Sequence, residues 1–130
     1  MNNKVEVRVL GAASMEDHHA HLLRLDVNGR SDLAHETGDH AIDAYCLRLM
    51  AAQAILIGAY VDGILRAALE LLPDRTARRA QAIFTAETGF RSAELAQELV
   101  ACAREEARKY RFCELQFHGL ERNLAPHSAA

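Results

Sequence analysis

The side chains able to do chemistry in this 130-residue chain fall into a few groups. Asp17, His18, His19 and His21 crowd one short stretch, and His18 and His21 have the spacing at which two metal ligands share a helix face. No cysteine or second histidine pair stands at a distance that would complete a site, and the Glu of an HExxH zinc motif is missing. The cluster therefore reads as a solvated helix face, and no metal is expected. Cys46, Cys102 and Cys113 are an odd number of cysteines at unrelated spacings. All three fall on apolar faces, which predicts reduced, buried, inert thiols and no disulfide framework. His35 and His40 bracket a helix start without a Ser or Cys partner. His118 closes an apolar strand and is a candidate base if a substrate reaches it, against an ordinary strand-end histidine. Glu70 interrupts another apolar strand. A carboxylate on a central strand needs partners or a raised pKa; otherwise the position faces solvent. Arg66, Arg75, Arg78 and Arg79 are candidate anion contacts on an exposed surface.

Periodicity supplies the elements that must position these groups. Lys4 to Leu10 alternates, with Val5, Val7 and Val9 on one face, as a strand with one buried side does. Ser14, with Asp17 three residues on, predicts a helix start ahead of Leu22, Leu23 and Leu25. Val27 to Gly38 reads as a loop. Asp39 offers a cap for a helix in which Ile42, Tyr45, Cys46 and Leu49 form an apolar stripe. Two apolar runs, Ala54 to Val61 and Ile64 to Leu72, flank Asp62-Gly63, a strong hairpin signal. Pro73-Asp74 predicts a further turn, and Ala80 to Glu87 a third strand of the meander. Arg91 to Tyr110 is a long helix with Ala96, Leu99, Val100, Ala103, Ala107 and Tyr110 inward, and Glu98, Arg104, Glu105, Arg108 and Lys109 outward. Arg111 to His118 closes as a strand, and the crossover helix before it favours a parallel pair. The expected class is α+β with a mixed sheet: an antiparallel meander followed by strand–helix–strand.

Composition bounds the function. With 50% hydrophobic and 25% charged residues the chain should fold without a staple. Its 15 Lys and Arg against 18 Asp and Glu, net charge −3, disfavour a nucleic-acid partner. No stretch approaches a membrane span, and the start is too polar for a secretory signal. The expectation is a cytoplasmic domain over residues 1–124, with a tail at 125–130, and no membrane partner.

The order of elements is similar to that of the GNAT superfamily of acyl-CoA-dependent N-acyltransferases. Leu56-Ile57-Gly58-Ala59-Tyr60-Val61-Asp62-Gly63-Ile64-Leu65-Arg66 resembles the central hairpin of that family, Leu69-Glu70-Leu71 follows as in relatives, and Ala82-Ile83-Phe84 to Glu87 looks like the strand before the cofactor loop. Asn123 sits where many members carry an Asn after the fifth strand. The likeness covers roughly residues 4–124.

The resemblance implies acetyl transfer from acetyl-CoA to an amine. Backbone N–H groups from Phe84 to Ala86 would polarise the thioester, and Glu70 or His118 would take the amine proton, since only a neutral amine attacks. The cofactor pyrophosphate would lie on the loop that opens the long helix, written Arg/Gln-x-x-Gly-x-Gly/Ala in the family. A helix N-terminus offers unpaired N–H donors and partial positive charge there. The matching residues are Arg91-Ser92-Ala93-Glu94-Leu95-Ala96. Arg91 fits and Ala96 is permitted, but Glu94 replaces the central Gly and sets a carboxylate near two phosphates. As plain helix chemistry, Ser92 is a good cap and Glu94 a favourable first-turn residue. The family continues through a further helix and two strands that supply much of the acceptor site and often a Tyr that serves as general acid, and the tail from Leu124 does not read as that continuation. Two readings follow. One is a degenerate, truncated acetyltransferase-like module that binds without catalysis, with acetyl-CoA binding weakened or lost at Glu94. The other is a minimal N-acetyltransferase acting on a small amine. An uncovered fifth strand predicts a homodimer through the sheet edge.

Overall fold

The computed structural model describes residues 4–31, 33, 38–74 and 76–120. Five strands form one sheet in chain order: β1 (Val5–Val9), β2 (Ile55–Val61), β3 (Ile64–Asp74), β4 (Arg79–Ala86) and β5 (Glu114–His118). β1 to β4 are antiparallel, and β5 runs parallel to β4 after the crossover helix α4 (Ala93–Lys109). Helices α1 (Met15–Leu23), α2 (Val27–Ser31) and α3 (Asp39–Ala51) lie between β1 and β2 in sequence. The architecture is the mixed α+β sheet that periodicity predicts.

Helices cover both sheet faces, which is why β2 and β3 read as nearly continuous apolar runs instead of alternating. Ile57, Ala59, Ala67, Leu69, Ala82 and Phe84 pack against Leu95, Leu99 and Ala103 of α4. Leu56, Tyr60 and Leu65 meet Leu22 of α1 and Ile42, Tyr45 and Leu49 of α3. On this second side the sheet also carries three buried polar residues, Glu70 of β3, Thr85 of β4 and Glu87 just beyond it. Among the described residues, no helix is long and apolar enough to cross a membrane.

Local chemistry explains the joints. Asp62 and Gly63 both hold positive φ, +51° and +85°, as a two-residue type I′ hairpin requires. Ser92 caps α4, its hydroxyl accepting from the Leu95 N–H at 3.1 Å. At the end of β5, Gly119 has φ +90°, and a Cβ there would stand 2.5 Å from the Phe84 carbonyl oxygen. Only glycine lets the chain pass so close to β4.

Several expectations are corrected. Val27–Ser31 is a short helix within the segment read as loop, because Asp26 caps it by accepting from Gly29 N–H at 2.8 Å. Pro73 and Asp74 still belong to β3; the turn lies beyond them, where Asp74 Oδ1 accepts from the Thr76 hydroxyl and the Ala77 N–H. Gly38, not Asp39, is the N-cap of α3. Ser14 precedes α1 without a side-chain cap bond, and Asp17 instead accepts from the Tyr60 hydroxyl at 2.8 Å. Val5 and Val9 are 42% and 47% exposed, since β1 is an edge strand and only Val7 of the three packs against the core. Tyr110 lies past the last turn of α4 and is exposed. Cys113 is exposed, and Cys46 and Cys102 are half-buried.

Candidate active site

α1 crosses the sheet over β3 and β4 and delivers two histidines to its polar row. Residues three apart on a helix share a face, and His18 and His21 share the buried one: both are 0% exposed. The sequence expectation of a solvated cluster holds for Asp17, which is exposed, and for His19, whose ring meets Asp43 on the surface. His18 Nε2 donates to Glu70 Oε2 at 2.6 Å, and the Tyr45 hydroxyl donates to Glu70 Oε1. Glu70 is thus no solvent-side strand residue; it is fully buried with both oxygens engaged.

The His18 proton is held tightly. Burial alone disfavours the imidazolium, but contacts with the Cys46 thiol and the Glu70 carboxylate outweigh it and raise the pKa to about 9. Burial and Glu70 together push the Tyr45 hydroxyl up.

One turn along, His21 Nδ1 donates to Glu87 Oε2 at 3.0 Å, and its Nε2 lies 2.8 Å from the Thr85 hydroxyl. Burial lowers the His21 pKa despite Glu87, so the ring is neutral and Nε2 accepts from Thr85. Glu87 Oε1 also accepts from Arg24 Nε at 2.9 Å and Arg66 Nη1 at 2.8 Å. Burial opposes the Glu87 charge, but bonds from His21, Arg24 and Arg66 overcome it and bring the carboxyl down to about 2.

Beyond Glu87 the chain enters the loop before α4. Asp26 reaches into it, accepting from Arg91 Nη2 at 2.6 Å and from the Thr88 hydroxyl at 3.2 Å. The Gly29 N–H, with Arg91, keeps the Asp26 carboxyl below its ordinary range. Arg91 Nε is buried without a partner. A cleft of about 540 Å³ opens along this loop, lined by Gly89, Phe90, Ser92, Leu95 and the carboxylates of Glu94 and Glu98. Glu94 is exposed, whereas Leu95 and Ala96 turn into the core.

The predicted site residues therefore fall on two sides of the sheet. Glu70 lies on the α1 and α3 side, while Phe84 and Ala86 pack toward α4 together with Leu95 and Ala96. Ala93 and Glu94 form the first turn of α4. His118 is exposed at the end of β5 and pairs with Ile83, which pairs with Glu70, so Ile83 separates the two proposed bases by one strand. Asn123, Arg75 and His35 lie outside the described residues. Sequence reasoning missed both groups, His18 and Tyr45 around Glu70 and His21 with Thr85, Arg24 and Arg66 around Glu87. One signal was present: His18, Leu22 and Leu25 follow the spacing of a buried helical stripe.

No protein-family model matches the chain, and no curated protein matches it. Solved structures do. An aminoglycoside N-acetyltransferase, AAC(6')-Iy, determined in complex with CoA, superposes with TM-score 0.65 and 13% identity over 99% of this chain and 86% of that one. The PaiA N-acetyltransferase from Thermoplasma acidophilum, in complex with coenzyme A, gives TM-score 0.66 and 14% identity over 97% and 86% of the two chains. A GNAT family acetyltransferase from Staphylococcus aureus gives 0.62 and 13% over 92% and 89%. The fold is that of the GNAT superfamily of acetyltransferases.

Proposed function

We propose that this chain is a degenerate GNAT-fold module that works by binding and not by acyl transfer. The observation that carries this reading is that the buried carboxylates on the α1 side of the sheet are already committed. Glu70 has both oxygens bonded inside a sealed pocket. Glu87, held at about 2 by His21, Arg24 and Arg66, is a fixed anion and no proton acceptor near neutral pH. His118 is then the one proposed base left exposed.

The loop supports the same reading for the cofactor. A pyrophosphate needs positive charge or free N–H donors at the start of α4. Arg91 is already neutralised by Asp26, and Glu94 and Glu98 both line the cleft. These residues do not fit a dianion, so no step is derived through CoA. The second reading, a minimal amine N-acetyltransferase, has one observation in its favour: the partnerless Arg91 Nε at this loop is a donor that an anion would satisfy.

Calorimetric titration with acetyl-CoA separates the two. The wild-type chain should show no binding up to millimolar ligand, and Glu94→Gly should gain it. Micromolar binding by the wild type, with acetyl transfer to an amine panel, would establish the enzymatic reading instead. The quaternary part of the proposal is a homodimer in which β5 of one copy pairs with β5 of a second, since no described strand covers its outer edge.

A further inference from the structure

We propose that the end of the sheet remote from the α4 loop binds a free anionic amphiphile, a long-chain carboxylate whose head meets Arg78 and Arg111. Val5 and Val61 line the cleft at the α4 loop, whereas Val9 and Ile55, at the other ends of the same two strands, line a second depression. Three hollows follow one another at this end and share their walls. The first, about 420 Å³, is bounded by Arg78, Tyr110, Arg111 and Phe112. The second, about 400 Å³, begins at the same Tyr110 and Phe112 and continues over Val9, Leu10, Ile55 and Leu56. The third, about 310 Å³, shares Leu10 and Leu56 with it and ends on Met15, Leu49 and Met50. Together they form one groove, basic at one end and apolar along the rest. It is independent of whether the α4 loop binds CoA.

The basic end has charge to offer. Arg78 and Arg111 are both exposed, and among the described residues neither has an ion-pair partner. The other charges nearby are balanced. Arg79 lies 3.9 Å from Asp74 and stands opposite Glu114 in the β4–β5 register, Arg108 pairs with Glu105, and Lys109 pairs with Glu106. Two open guanidinium groups suit a carboxylate, whose two oxygens can each accept from an Arg N–H. The stacked rings of Tyr110 and Phe112, 6.3 Å apart between centroids, form the wall where head gives way to chain.

Beyond those rings Val9 and Met50 leave apolar surface exposed, as binding sites do. Gln53 and the Tyr110 hydroxyl are the polar side-chain groups along the two apolar hollows. An unbranched hydrocarbon chain has nothing polar to satisfy there, whereas a peptide would set its amides against a surface with few partners. Three of the four described non-glycine residues with positive φ, Gln53, Arg78 and Arg111, border this groove. Strained backbone of this kind gathers at binding sites, and glycine would be easier at each position.

The test titrates the full-length chain with sodium dodecanoate, kept below its micelle-forming concentration, by isothermal titration calorimetry at neutral pH. Saturable binding is expected, tightening by roughly two- to fourfold per methylene from octanoate to dodecanoate. Dodecylammonium, with the same chain and the opposite charge, should bind roughly tenfold more weakly, although the protein's net charge of −3 favours the cation. Arg78→Gly and Arg111→Gly separate the head contact from the fold, because φ of +54° and +60° lies where glycine is at ease. Each should keep its circular dichroism spectrum and weaken dodecanoate by roughly tenfold. Met50→Glu, at the far end, should weaken dodecanoate more than octanoate. Absence of saturable binding, equal affinity for the two head-group charges, or unchanged affinity in both glycine variants overturns the proposal. Cosedimentation with phosphatidylglycerol vesicles, without binding of monomeric dodecanoate, would assign the groove to a bilayer. A wild-type dimer that Met50→Glu dissociates, with no dodecanoate bound, would assign it to a second copy. Either result also overturns the proposal.

Discussion

His18 and His21 stand on the same helix face, yet they titrate in opposite directions because different partners answer the same burial. His18 is raised from 6.5 to about 9, binding its proton more tightly folded than unfolded. Its contribution to stability is complete below pH 6.5 and is lost as the pH climbs through 9. His21 is lowered, so its burial as a neutral ring stabilises above pH 6.5 and opposes folding as the pH falls below it. Glu87, lowered from 4.5 to about 2, adds a loss that begins below pH 4.5. The urea midpoint should therefore be highest near pH 6.5 and fall on both sides, by up to about 1.4 kcal/mol per pH unit for each proton linked to folding. His18→Gln should lower the maximum by roughly 3–5 kcal/mol, as removal of one buried ion-pair partner does, and should flatten the alkaline limb. A wild-type midpoint that stays level from pH 6.5 to above 9 would rule out a charged His18–Glu70 pair. That these histidines belong inside was legible from the stripe with Leu22 and Leu25. Their partners were not, because Glu70 lies 52 residues from His18 and Glu87 lies 66 from His21, and no local pattern spans such separations.

Strands and helices were read more easily than the groups they carry, wherever each element's own period decided the matter. α4 runs within the predicted helix, with Ala96, Leu99, Ala103 and Ala107 buried as its stripe requires. The Asp62-Gly63 turn follows directly from the conformational freedom those two residue types provide. β1 departs from its pattern because alternation marks two faces and does not say whether a neighbour covers one of them. The parallel pairing of β5 with β4 was read from the crossover helix, but the close approach of Gly119 to the Phe84 carbonyl was hidden, since it joins residues far apart in sequence. Two substitutions separate backbone freedom from close approach. Gly63→Ala meets no neighbour within 4 Å and should cost about 1 kcal/mol, the penalty of a left-handed residue. Gly119→Ala adds a backbone clash to that strain and should cost roughly 3 kcal/mol or more. Thermal melts of the two variants give the comparison, and equal losses would mean that β5 moves away from Phe84 without penalty.

The sheet has two edges of different character, and the difference predicts how copies assemble. β1 carries Glu6 and Arg8, paired at 3.1 Å on its surface, a charged edge that discourages strand addition. β5 offers Leu115, Gln116 and Phe117, all half-buried, with no described strand beyond them. Sedimentation at micromolar concentration should show a dimer for the full chain, and a β5 variant such as Gln116→Pro, which removes a backbone N–H donor, should shift it toward monomer. A wild-type monomer across that range would end the edge-pairing proposal.

The amino-acid order by itself determined the element sequence, the hairpin, the capped crossover helix and the mixed sheet, because each rests on short-range periodicity, turn chemistry or connection length. It also placed Arg91, Ser92 and Glu94 at the start of the long helix, since neighbours in sequence remain neighbours in a loop and a first turn. Only the tertiary structure decided that two histidines described as solvated are sealed against Glu70 and Glu87, and that Arg91 is held by Asp26. Those contacts join helix to strand across the sheet, and the energy of a buried charge depends on which groups surround it in space, a property that spacing along the chain does not carry.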